Sequence, residues 1–459
     1  MQLTLRSHVE DWKTLPWKQF QKQVFRLQHR IYKAQQDKNY KLVHKLQRLL
    51  FSSRAAKFLS IRQVTQLNEG KVIAGIDRIS KLNEKERLEL FEDIKSLNNY
   101  KHKPLRRVLI PKLNRGEKRP LGVSTIKDRT IQCLIKYLLE PVYEAYASRG
   151  SWGFRPGRST WDVQKHIVMN LNAGNNSYTK RILELDIKKC FDRINHEKIL
   201  SLIHVPIIIQ KILRSALEAG VLNEKDTLCE KTPQVSIISP LLCNIALHGI
   251  EDLWNQHSRY LDKRNMRYYT RKSEISQRGL RYAYDTIFFL EGQENADKLQ
   301  HKIDKFLSER GLNVKELKTR LVKSTGGFDF LGWRFEVRPH GALTCFPSRK
   351  NRRSIIDKIK YTMRNNTYTL QERLDKVKVI YTGWRNYHQY CSFRKVNVWS
   401  INDWVYQYVK KSNMKIKSRT ERAKAKIDRL RTIKDIFNGH KSKLSGYTSV
   451  QRDKLVPFR

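Results

Sequence analysis

Two stretches of the chain carry carboxylates on predicted strands, where they could bind divalent cations. Residues 281–290 are dense in aromatic and β-branched side chains, so they are predicted to form a buried hairpin with Asp285 near its middle. Earlier in the chain, a short apolar strand is predicted to end at Asp186 and is followed by Phe191 and Asp192. A strand-borne carboxylate that faces a carboxylate on an adjacent hairpin can hold two Mg²⁺ ions for nucleotidyl transfer. This chemistry is therefore the first hypothesis for the site.

The charge of the chain indicates a polyanionic partner. Lys and Arg number 92 against 44 Asp and Glu, which leaves a formal net charge of +48. A chain of this charge repels itself unless a polyanion is present, so nucleic acid is the expected partner. A ribosomal or membrane-surface protein is the alternative. No membrane partner is expected, because no apolar run approaches the roughly 20 residues of a membrane span.

The cysteines and the N-terminus bear on the compartment. The six cysteines are scattered and form no Cys-x-x-Cys pair, which argues against a zinc site and against a disulfide scaffold. We interpret them as buried thiols in a reducing compartment. No signal peptide is predicted, because Glu10 and Asp11 come early and a helical pattern follows at once.

The N-terminal part of the chain is predicted to be helical. Over residues 17–60, apolar side chains recur at three and four positions around a polar break at 36–39, which predicts two helices with basic outer faces. A glycine-punctuated loop is expected at 68–77. A helical cap with solvated lysines explains this pattern as well as a binding surface does.

A basic hairpin and an arginine-bearing loop come next. Residues 106–112 and 118–125 are predicted strands, followed by a helix over 131–143. Paired cations on facing strands can clamp a triphosphate or a phosphodiester backbone, although exposed lysines also protect the edge of a sheet. The Gly/Pro/Arg loop 151–160 can approach a sugar-phosphate chain closely and stack on it.

The remainder of the middle region mixes helices with short strands. A helix is predicted over 241–253, and residues 254–278 are interpreted as a surface insertion or loop. An amphipathic helix is predicted over 295–310, with strand-and-turn segments at 311–319 and 327–333. These patterns predict an α+β domain.

The C-terminal part is predicted to be helical and basic. Helices are expected from about residue 350, on the same periodicity argument. Residues 410–459 contain few large apolar side chains and many Lys and Arg, so they are interpreted as a flexible or RNA-ordered tail.

In this order the segments resemble group II intron-encoded proteins, the reverse transcriptase/maturase family. The motifs that carry the resemblance are Leu27-Gln-x-Arg-Ile31, Arg119-Pro-Leu-Gly122, Gly153-Phe-Arg-Pro-Gly-Arg-Ser159, Asp186-Ile-Lys-x-Cys-Phe-Asp192, Thr232-Pro-Gln-x-Ser236, Tyr282-Ala-x-Asp285, Phe330-Leu-Gly332 and Gly383-Trp-x-Asn-Tyr387. The resemblance implies right-hand polymerase-like fingers and palm, with a helical N-terminal extension and a helical thumb-like maturase domain. The implied boundaries are 1–78 for the extension, 79–340 for fingers and palm, 341–410 for maturase domain X and 411–459 for a basic tail.

The resemblance also implies roles for single residues. Those that match the nucleotide site are Asp186, Asp285, Phe191, Lys112, Arg119 and Gln234. Asp186 matches a metal-binding carboxylate, and Asp285 is the carboxylate that could take the place of the second one. The phenylalanine matches the ring that excludes a 2′-OH, the two cations match a triphosphate clamp, and the glutamine matches the residue that packs on the incoming nucleotide. An ordinary core aromatic is the alternative for the phenylalanine. RNA contacts are expected from Arg155, Arg158, Trp384, Arg385 and Tyr387.

Two departures from the family pattern fall on nucleotide chemistry. Tyr284 stands where the family has the first Asp of the hairpin, and a neutral phenol cannot replace an anionic Mg²⁺ ligand. Asp285 is one residue further on, and a one-residue step along a strand points to the opposite face unless the turn relaxes that rule. Val235 replaces a Gly, and a β-branched residue blocks close backbone approach.

These departures favour a degenerate maturase that binds intron-containing pre-mRNA and assists its splicing. Residues after 410 contain no cysteine, so no Cys/His endonuclease module is expected there. The rival is an active RNA-directed DNA polymerase that uses Asp186, Asp192 and Asp285, with Mg²⁺ as its cofactor. A structural RNA-binding protein without an intron partner is a third hypothesis, and a homodimer is left open.

The expected compartment is a plastid, with an organelle-encoded gene. The family-like sequence begins close to Met1, so no transit peptide is expected, and Lys, Ile and Asn are abundant. The N-terminal block resembles the cyanobacterial and plastid branch of the family. A mitochondrion and the bacterial cytoplasm are the alternatives.

Overall fold

A computed structural model describes most of the chain. The described residues are 11–97, 99–111, 118–172, 177–187, 194–222, 228–229, 236–262, 267–312, 319–392, 399–413 and 419–437. Helices alternate with strands through the middle of the chain and predominate at both ends. The predicted α+β class is confirmed.

Three N-terminal helices pack on one another where the periodicity predicted two. They are α1 (Trp17–Gln36), α2 (Tyr40–Ser52) and α3 (Arg54–Arg62). The Asn39 side chain caps α2 by accepting a hydrogen bond from the backbone of Leu42. Ser53 both ends α2 and caps α3. Because no polar linker separates the two helices, the sequence pattern shows them as one. A 3₁₀ turn, Glu69–Val72, lies within the predicted loop.

The predicted basic hairpin is confirmed, and it leads into the longest described helix. The hairpin consists of β1 (Leu105–Pro111) and β2 (Lys118–Val123), preceded by α4 (Glu84–Asp93) and followed by α5 (Ile126–Tyr146). Thr125 caps α5 through the backbone of Asp128. Two short strands, β4 (Val221–Leu222) and β5 (Leu228–Cys229), extend the sheet from β1.

A four-stranded sheet carries both predicted carboxylate positions. Its strands are β3 (Arg181–Asp186), β8 (Gly279–Tyr282), β9 (Asp285–Leu290) and β10 (Arg320–Lys323), in the order β10-β3-β9-β8. Leu183 and Phe288 belong to a core shared with the N-terminal helices, whereas Ile182 and Ile287 belong to a second core on the other face. Because the sheet is buried on both faces, its strands read as continuous apolar runs.

Helices cover this sheet. They are α6 (Thr160–Asn172), α7 (His196–Leu202), α8 (Ile207–Glu218), α9 (Ser239–Ala246) and α10 (Ala296–Ser308). The helix predicted over 295–310 is confirmed, and Asn295 caps it. The helix predicted over 241–253 is shorter, since it ends at Ala246 and a 3₁₀ turn, Ile250–Asp252, follows.

The segment interpreted as a surface insertion or loop contains a hairpin. Strands β6 (Gln256–Asp262) and β7 (Arg267–Ser276) pair antiparallel, with a register shift between His257 and Ser258. Their sequence is too polar to show the alternation that marks a half-buried strand, so the prediction of a loop was wrong.

The C-terminal part consists of a small sheet and four helices. The elements are β11 (Phe328–Phe330), β12 (Trp333–Val337), β13 (Leu343–Pro347), α11 (Arg349–Arg364), α12 (Leu370–Tyr387), α13 (Trp399–Asn413) and α14 (Arg419–Phe437). Helix α14 lies inside the predicted tail, and its buried Ile433 and Ile436 join a third core with α11, α12 and α13. The tail prediction is therefore wrong for residues 419–437, while residues 438–459 lie outside the described part.

Two predictions made from composition can be compared with the described ranges. Among the helices of those ranges, none combines the length and apolar character needed to cross a membrane. Four cysteines of the same ranges, Cys133, Cys243, Cys345 and Cys391, are buried and form no disulfide, as predicted.

Candidate functional site

The register of the central sheet places the two predicted aspartates opposite each other. Strands β3 and β9 run antiparallel, and Asp186 is the cross-strand partner of Asp285 at the end of both strands. Directly opposed positions share a face of a sheet. The expectation that a one-residue step puts position 285 on the wrong face is therefore corrected: β9 begins at Asp285, and Tyr284 lies in the turn before it.

The turn that sets this register is held by close backbone contact. Tyr282 pairs with Asp285, so Ala283 and Tyr284 form a two-residue hairpin loop, and Ala283 takes a positive φ of 61°. The turn rests on Gly153, where an added Cβ would lie 2.3 Å from the backbone nitrogen of Ala283. The glycine of the predicted nucleic-acid loop thus makes room for the hairpin.

A fully buried arginine lies beneath the turn. The Arg281 guanidinium donates from Nε to Glu251 Oε2 at 3.0 Å, and from Nη1 to Asn244 Oδ1 at 2.8 Å and to the Ala283 carbonyl at 3.1 Å. Its Nη2 donates to Ser151 Oγ at 2.8 Å. Both members of the Arg281–Glu251 pair are inaccessible to solvent. This network ties the hairpin, the 151–153 loop and the region after α9 into one unit.

The sequence predicted a hairpin over the segment that begins at Arg281, but it did not predict that this arginine is buried and paired. The signal available was a cation inside an otherwise apolar strand, which calls for a buried acid. That acid, Glu251, is distant in sequence and lies in a 3₁₀ turn. Nothing in the spacing of the chain identifies it.

Arg155, predicted to contact RNA, is buried and internally paired. Its Nε and Nη2 donate to the two carboxylate oxygens of Glu144 at 2.7 and 2.8 Å. Its Nη1 donates to the carbonyls of Ser148 and Ser151. Because these bonds occupy the guanidinium inside the protein, the expectation of a direct RNA contact is corrected to a structural role for this arginine.

Arg158 from the same motif differs from Arg155. It is half-buried, and its guanidinium lies 5.1 Å from the centre of the Trp152 ring. Phe154, which precedes both arginines in the chain, is exposed and has a positive φ of 60°. This rim of the loop keeps an aromatic ring and a cation near solvent, so the prediction for Arg158 stays a prediction.

Two of the three residues predicted from the Gly383–Tyr387 motif serve the fold. Trp384 is buried, and its Nε1 donates to Asn351 Oδ1 at 2.6 Å. The Tyr387 ring stacks on Trp333 at 4.9 Å, its hydroxyl donates to the Leu331 carbonyl at 2.7 Å, and burial raises its pKa to about 12. These contacts correct the expectation that both side chains contact RNA.

Arg385 and the end of α12 complete this junction. Arg385 is half-buried near the C-terminal end of α12, 5.9 Å from the centre of the Tyr381 ring. Trp161 on α6 donates from Nε1 to the Tyr387 carbonyl at 2.9 Å. The motif therefore docks the C-terminal helices on the sheet-bearing part, and the RNA contact of Arg385 stays a prediction.

Several predicted site residues lie outside the described part or are described only in their backbone. Lys112, Phe191, Asp192 and Gln234 lie outside the described residues, as does Val235. Arg119 lies on β2 opposite Ile110. Among the residues that the structure describes, no group of three or more His, Cys, Asp or Glu is positioned to hold a metal ion.

Close to the paired aspartates in the sheet, the carboxyl of Glu184 has a shifted pKa. Glu184 lies on β3, opposite Arg320 on β10 and Ile287 on β9. Burial raises the pKa of its carboxyl to about 7, against the lowering influence of Arg320.

Comparison with known proteins gives consistent matches along the chain. A model described as the N-terminal domain of reverse transcriptase matches residues 12–94, and one described as reverse transcriptase (RNA-dependent DNA polymerase) matches residues 110–335. Maturase-like protein 1 of Euglena gracilis is 31% identical over 393 residues, which cover 85% of this chain and 80% of that protein. The protein of the same name from Euglena longa is 28% identical, with 83% and 79% covered.

More distant matches cover less or are weaker. The group II intron-encoded protein LtrA of Lactococcus lactis subsp. cremoris is 30% identical over 239 residues, which cover 50% of this chain and 39% of LtrA. A structure of telomerase from Candida albicans with a fragment of telomeric RNA matches with a TM-score of 0.36 and 14% identity, covering 78% of this chain and 64% of that one.

Proposed function

This chain belongs to the family of group II intron-encoded reverse transcriptases and maturases, and we propose that it binds intron-containing pre-mRNA and assists its splicing without polymerising nucleotides. In such a reaction the intron RNA is the catalyst. The protein contributes by neutralising phosphates and stabilising the active fold of the RNA.

A stripe of cations along α1 is the observation that carries the proposal. We call it the α1 stripe, and it consists of the exposed residues Lys18, Lys22, Arg26, Arg30 and Lys33. They recur at three- and four-residue spacing over about 22 Å, and α1 contains no acidic residue. Neighbouring like charges at this spacing destabilise a helix by about 0.2–0.5 kcal/mol per pair. A polyanion lying along the helix removes that cost, and an RNA backbone has the required charge density.

The C-terminal helices supply a second basic surface. Exposed cations on α11 and α12 are Arg349, Lys350, Arg353, Lys358, Arg364 and Lys378. The apolar sides of the same helices are buried in the third core. This amphipathic arrangement fixes the cations on the outside of a rigid body, which supports the binding of a folded RNA more than that of a flexible peptide.

The α1 stripe can be tested against a charge-matched control. The triple variant Lys22→Gln/Arg26→Gln/Arg30→Gln removes three cations from α1. The control Lys298→Gln/Lys302→Gln/Lys305→Gln removes three exposed cations from α10, a helix that also carries Asp297 and Asp304. We expect RNA affinity to fall in the first variant and to stay near the wild-type value in the second. Equal losses in both would show that α1 has no special role.

The identity of the RNA decides between the maturase and a structural RNA-binding protein. Full-length protein is crosslinked to RNA in its native cells, purified, and the attached RNA is sequenced. Enrichment of one intron, or of a few related introns, supports the proposal. Enrichment of ribosomal RNA without any intron would replace it by the structural role.

An active polymerase is the second candidate, and the sheet register favours it. Asp186 opposite Asp285 brings two carboxylate-bearing positions to one end of the sheet, where Mg²⁺ would bind if this site holds it. Primer extension by purified protein tests this candidate directly. Extension that is lost in Asp186→Ala and unchanged in Tyr284→Asp would establish it, whereas its absence in the wild type supports the maturase.

We place the protein in a plastid, where an organelle-encoded gene would serve its own introns. The similarity to maturase-like proteins of two Euglena species supports this location, and a mitochondrion or the bacterial cytoplasm is the alternative. Fractionation of the source cells, followed by immunodetection, distinguishes the two compartments.

A further inference from the structure

A cavity of about 500 Å³ lies where the N-terminal helices meet the rest of the molecule, and neither Asp186 nor Asp285 lines it. Its walls come from the turn between α1 and α2, the C-terminal end of α5, the chain after α7, and residues near α9 and α10. Its aromatic and basic lining residues include Lys38, Tyr40, Tyr146, His204, His248 and Arg310. None of its lining residues is acidic.

The cavity offers two pairs of rings. Tyr40 stacks on His204 with 5.9 Å between ring centres and 23° between planes. Tyr146 meets His248 edge to face at 4.9 Å. Tyr40 and Tyr146 are about half and one-third exposed, at 47% and 37%, so both rings are accessible from outside. Aromatic and imidazole rings at an open cavity suit a flat heterocycle that stacks.

Polar groups of the cavity could bind the phosphate and the hydrogen-bonding edge of the base of a nucleotide. Lys38 is exposed at the end of α1, in a left-handed conformation with a φ of 55°, and follows the α1 stripe in sequence. The buried Nδ1 of His248 has no hydrogen-bond partner among the described residues. Burial lowers the pKa of this imidazole, so the ring is mostly neutral near pH 7 and can exchange hydrogen bonds with a base edge. Arg310 is mainly structural, since it donates to the carbonyls of Ala246 and Phe306.

We propose that this cavity binds one unpaired nucleotide of RNA, with the base against the Tyr40/His204 and Tyr146/His248 rings and the phosphate near Lys38. The inference rests on the proposed RNA-binding function and makes it more specific. The α1 stripe holds the backbone irrespective of sequence, and the cavity at the end of the same helix takes a base that is not in a duplex. The protein would then distinguish a bulged or looped nucleotide from a regular helix.

The test compares two probes and four forms of the full-length protein. The probes are a short unstructured single-stranded RNA and a blunt RNA duplex of the same length. The protein forms are the wild type, Tyr40→Ala/Tyr146→Ala, Tyr40→Phe/Tyr146→Phe, and the control Tyr178→Ala, which removes an exposed tyrosine elsewhere. Dissociation constants are measured for every combination, after circular dichroism has shown the same helix content.

We expect the alanine pair to lose affinity for the single strand about tenfold or more, because stacking is lost, and to bind the duplex as the wild type does. The phenylalanine pair and the control should match the wild type with both probes. Unchanged single-strand binding by the alanine pair, or an equal loss with both probes, would overturn the inference.

Photocrosslinking locates the base independently of affinity. Single-stranded RNA that contains 4-thiouridine should crosslink to peptides around residues 40, 146 and 204, and crosslinks only elsewhere would contradict the inference. If polyglutamate binds the wild type but not the alanine pair, while single-strand affinity is the same in both, the cavity is an acidic-peptide site and the inference is wrong.

Failure of the inference is distinguishable from failure of the proposed function. A wild type that binds the duplex and its intron, but not the single strand, removes only the base-binding cavity. A wild type that binds neither probe nor any intron removes both proposals.

Discussion

At the scale of one residue, Asp285 belongs to a motif that the sequence identifies, but the face of the sheet on which it lies was predicted wrongly. The apolar sequences around Asp186 and Asp285 predicted that both lie on strands. The alternation of side chains along a strand, however, predicted that position 285 faces away from Asp186. The structure begins β9 at Asp285, opposite Asp186. The turn responsible depends on Gly153, far away in the chain, so strand alternation alone could not reveal the register.

Arg281 and Glu251 are predicted to be mutually dependent for stability. Arg281→Met leaves the Glu251 carboxylate buried without its partner, which costs about 3–5 kcal/mol in the free energy of unfolding. Urea unfolding followed by circular dichroism measures this loss. The double variant Arg281→Met/Glu251→Leu should be less damaging than the sum of the two single changes, because no charge is then left unpaired.

The control for this pair is an ion pair at the surface. Arg214 and Glu197 form a bridge that is exposed on both sides. Arg214→Met should leave the unfolding midpoint nearly unchanged. If the two arginine substitutions have the same effect, the buried network does not hold the hairpin.

Glu184 gives a pH-dependent prediction. Its carboxyl has a pKa of about 7 in the folded protein against an ordinary value of 4.5, so the folded state binds the proton more tightly than the unfolded state. The free energy of unfolding that this group contributes is therefore present below pH 4.5 and is lost as the pH rises through 7. Glu184→Gln should be progressively more stable than the wild type over that range, and the difference should level off above it.

The measurement for Glu184 is a series of urea midpoints between pH 4 and pH 8, with the exposed Glu89→Gln as the variant that changes charge equally. A constant difference between Glu184→Gln and the wild type at every pH would contradict the raised pKa.

Elements with one strongly apolar face were predicted well, whereas elements with a mostly polar sequence were predicted poorly. Helices α1 and α10 and the hairpin of β1 and β2 follow from periodicity and turn residues. Hairpin β6–β7 and helix α14 were missed, since both are rich in polar and charged side chains, although Ile433 and Ile436 of α14 are buried. The composition of each segment gave no sign of what it pairs or packs with.

The contacts that dock the end of α12 can be removed one at a time by substitutions at Tyr387. Tyr387→Phe removes the hydrogen bond to the Leu331 carbonyl and is expected to cost about 1 kcal/mol. Tyr387→Ala also removes the stacking on Trp333 and should expose α12 to faster hydrogen exchange and proteolysis. Arg385→Gln is the contrast: it should weaken RNA binding and leave exchange in α12 unchanged. Equal exchange rates in all three variants would contradict the docking role of Tyr387.

At the scale of the whole molecule, charge and fold serve the same partner. The net charge of +48 predicted a polyanion, and the structure exposes ten Lys and Arg side chains on α1 and α11. Sequence alone could not distinguish these exposed cations from Arg155 and Arg281, which are buried and paired with glutamates inside the protein. Of the motif arginines predicted to contact RNA, Arg155 is therefore structural, whereas the cations of the α1 stripe are exposed.

The salt dependence of RNA binding follows from this distribution. The logarithm of the association constant should fall linearly with the logarithm of the salt concentration, by about 0.7–0.9 per phosphate contact. The α1 triple variant should have a shallower slope than the wild type, by about two or three units if each cation contacts one phosphate. Filter binding over a range of KCl concentrations measures both slopes, and identical slopes would show that α1 does not contact phosphates.

Splicing of the enriched intron in vitro tests the maturase function most directly. The intron transcript is incubated at a Mg²⁺ concentration too low for it to splice alone, with wild-type protein, the α1 triple variant or Asp186→Ala. We expect wild-type protein and Asp186→Ala to accelerate splicing equally and the α1 triple variant to do so less. No acceleration by the wild type, or its loss in a correctly folded Asp186→Ala protein, would contradict a maturase that works without polymerase chemistry.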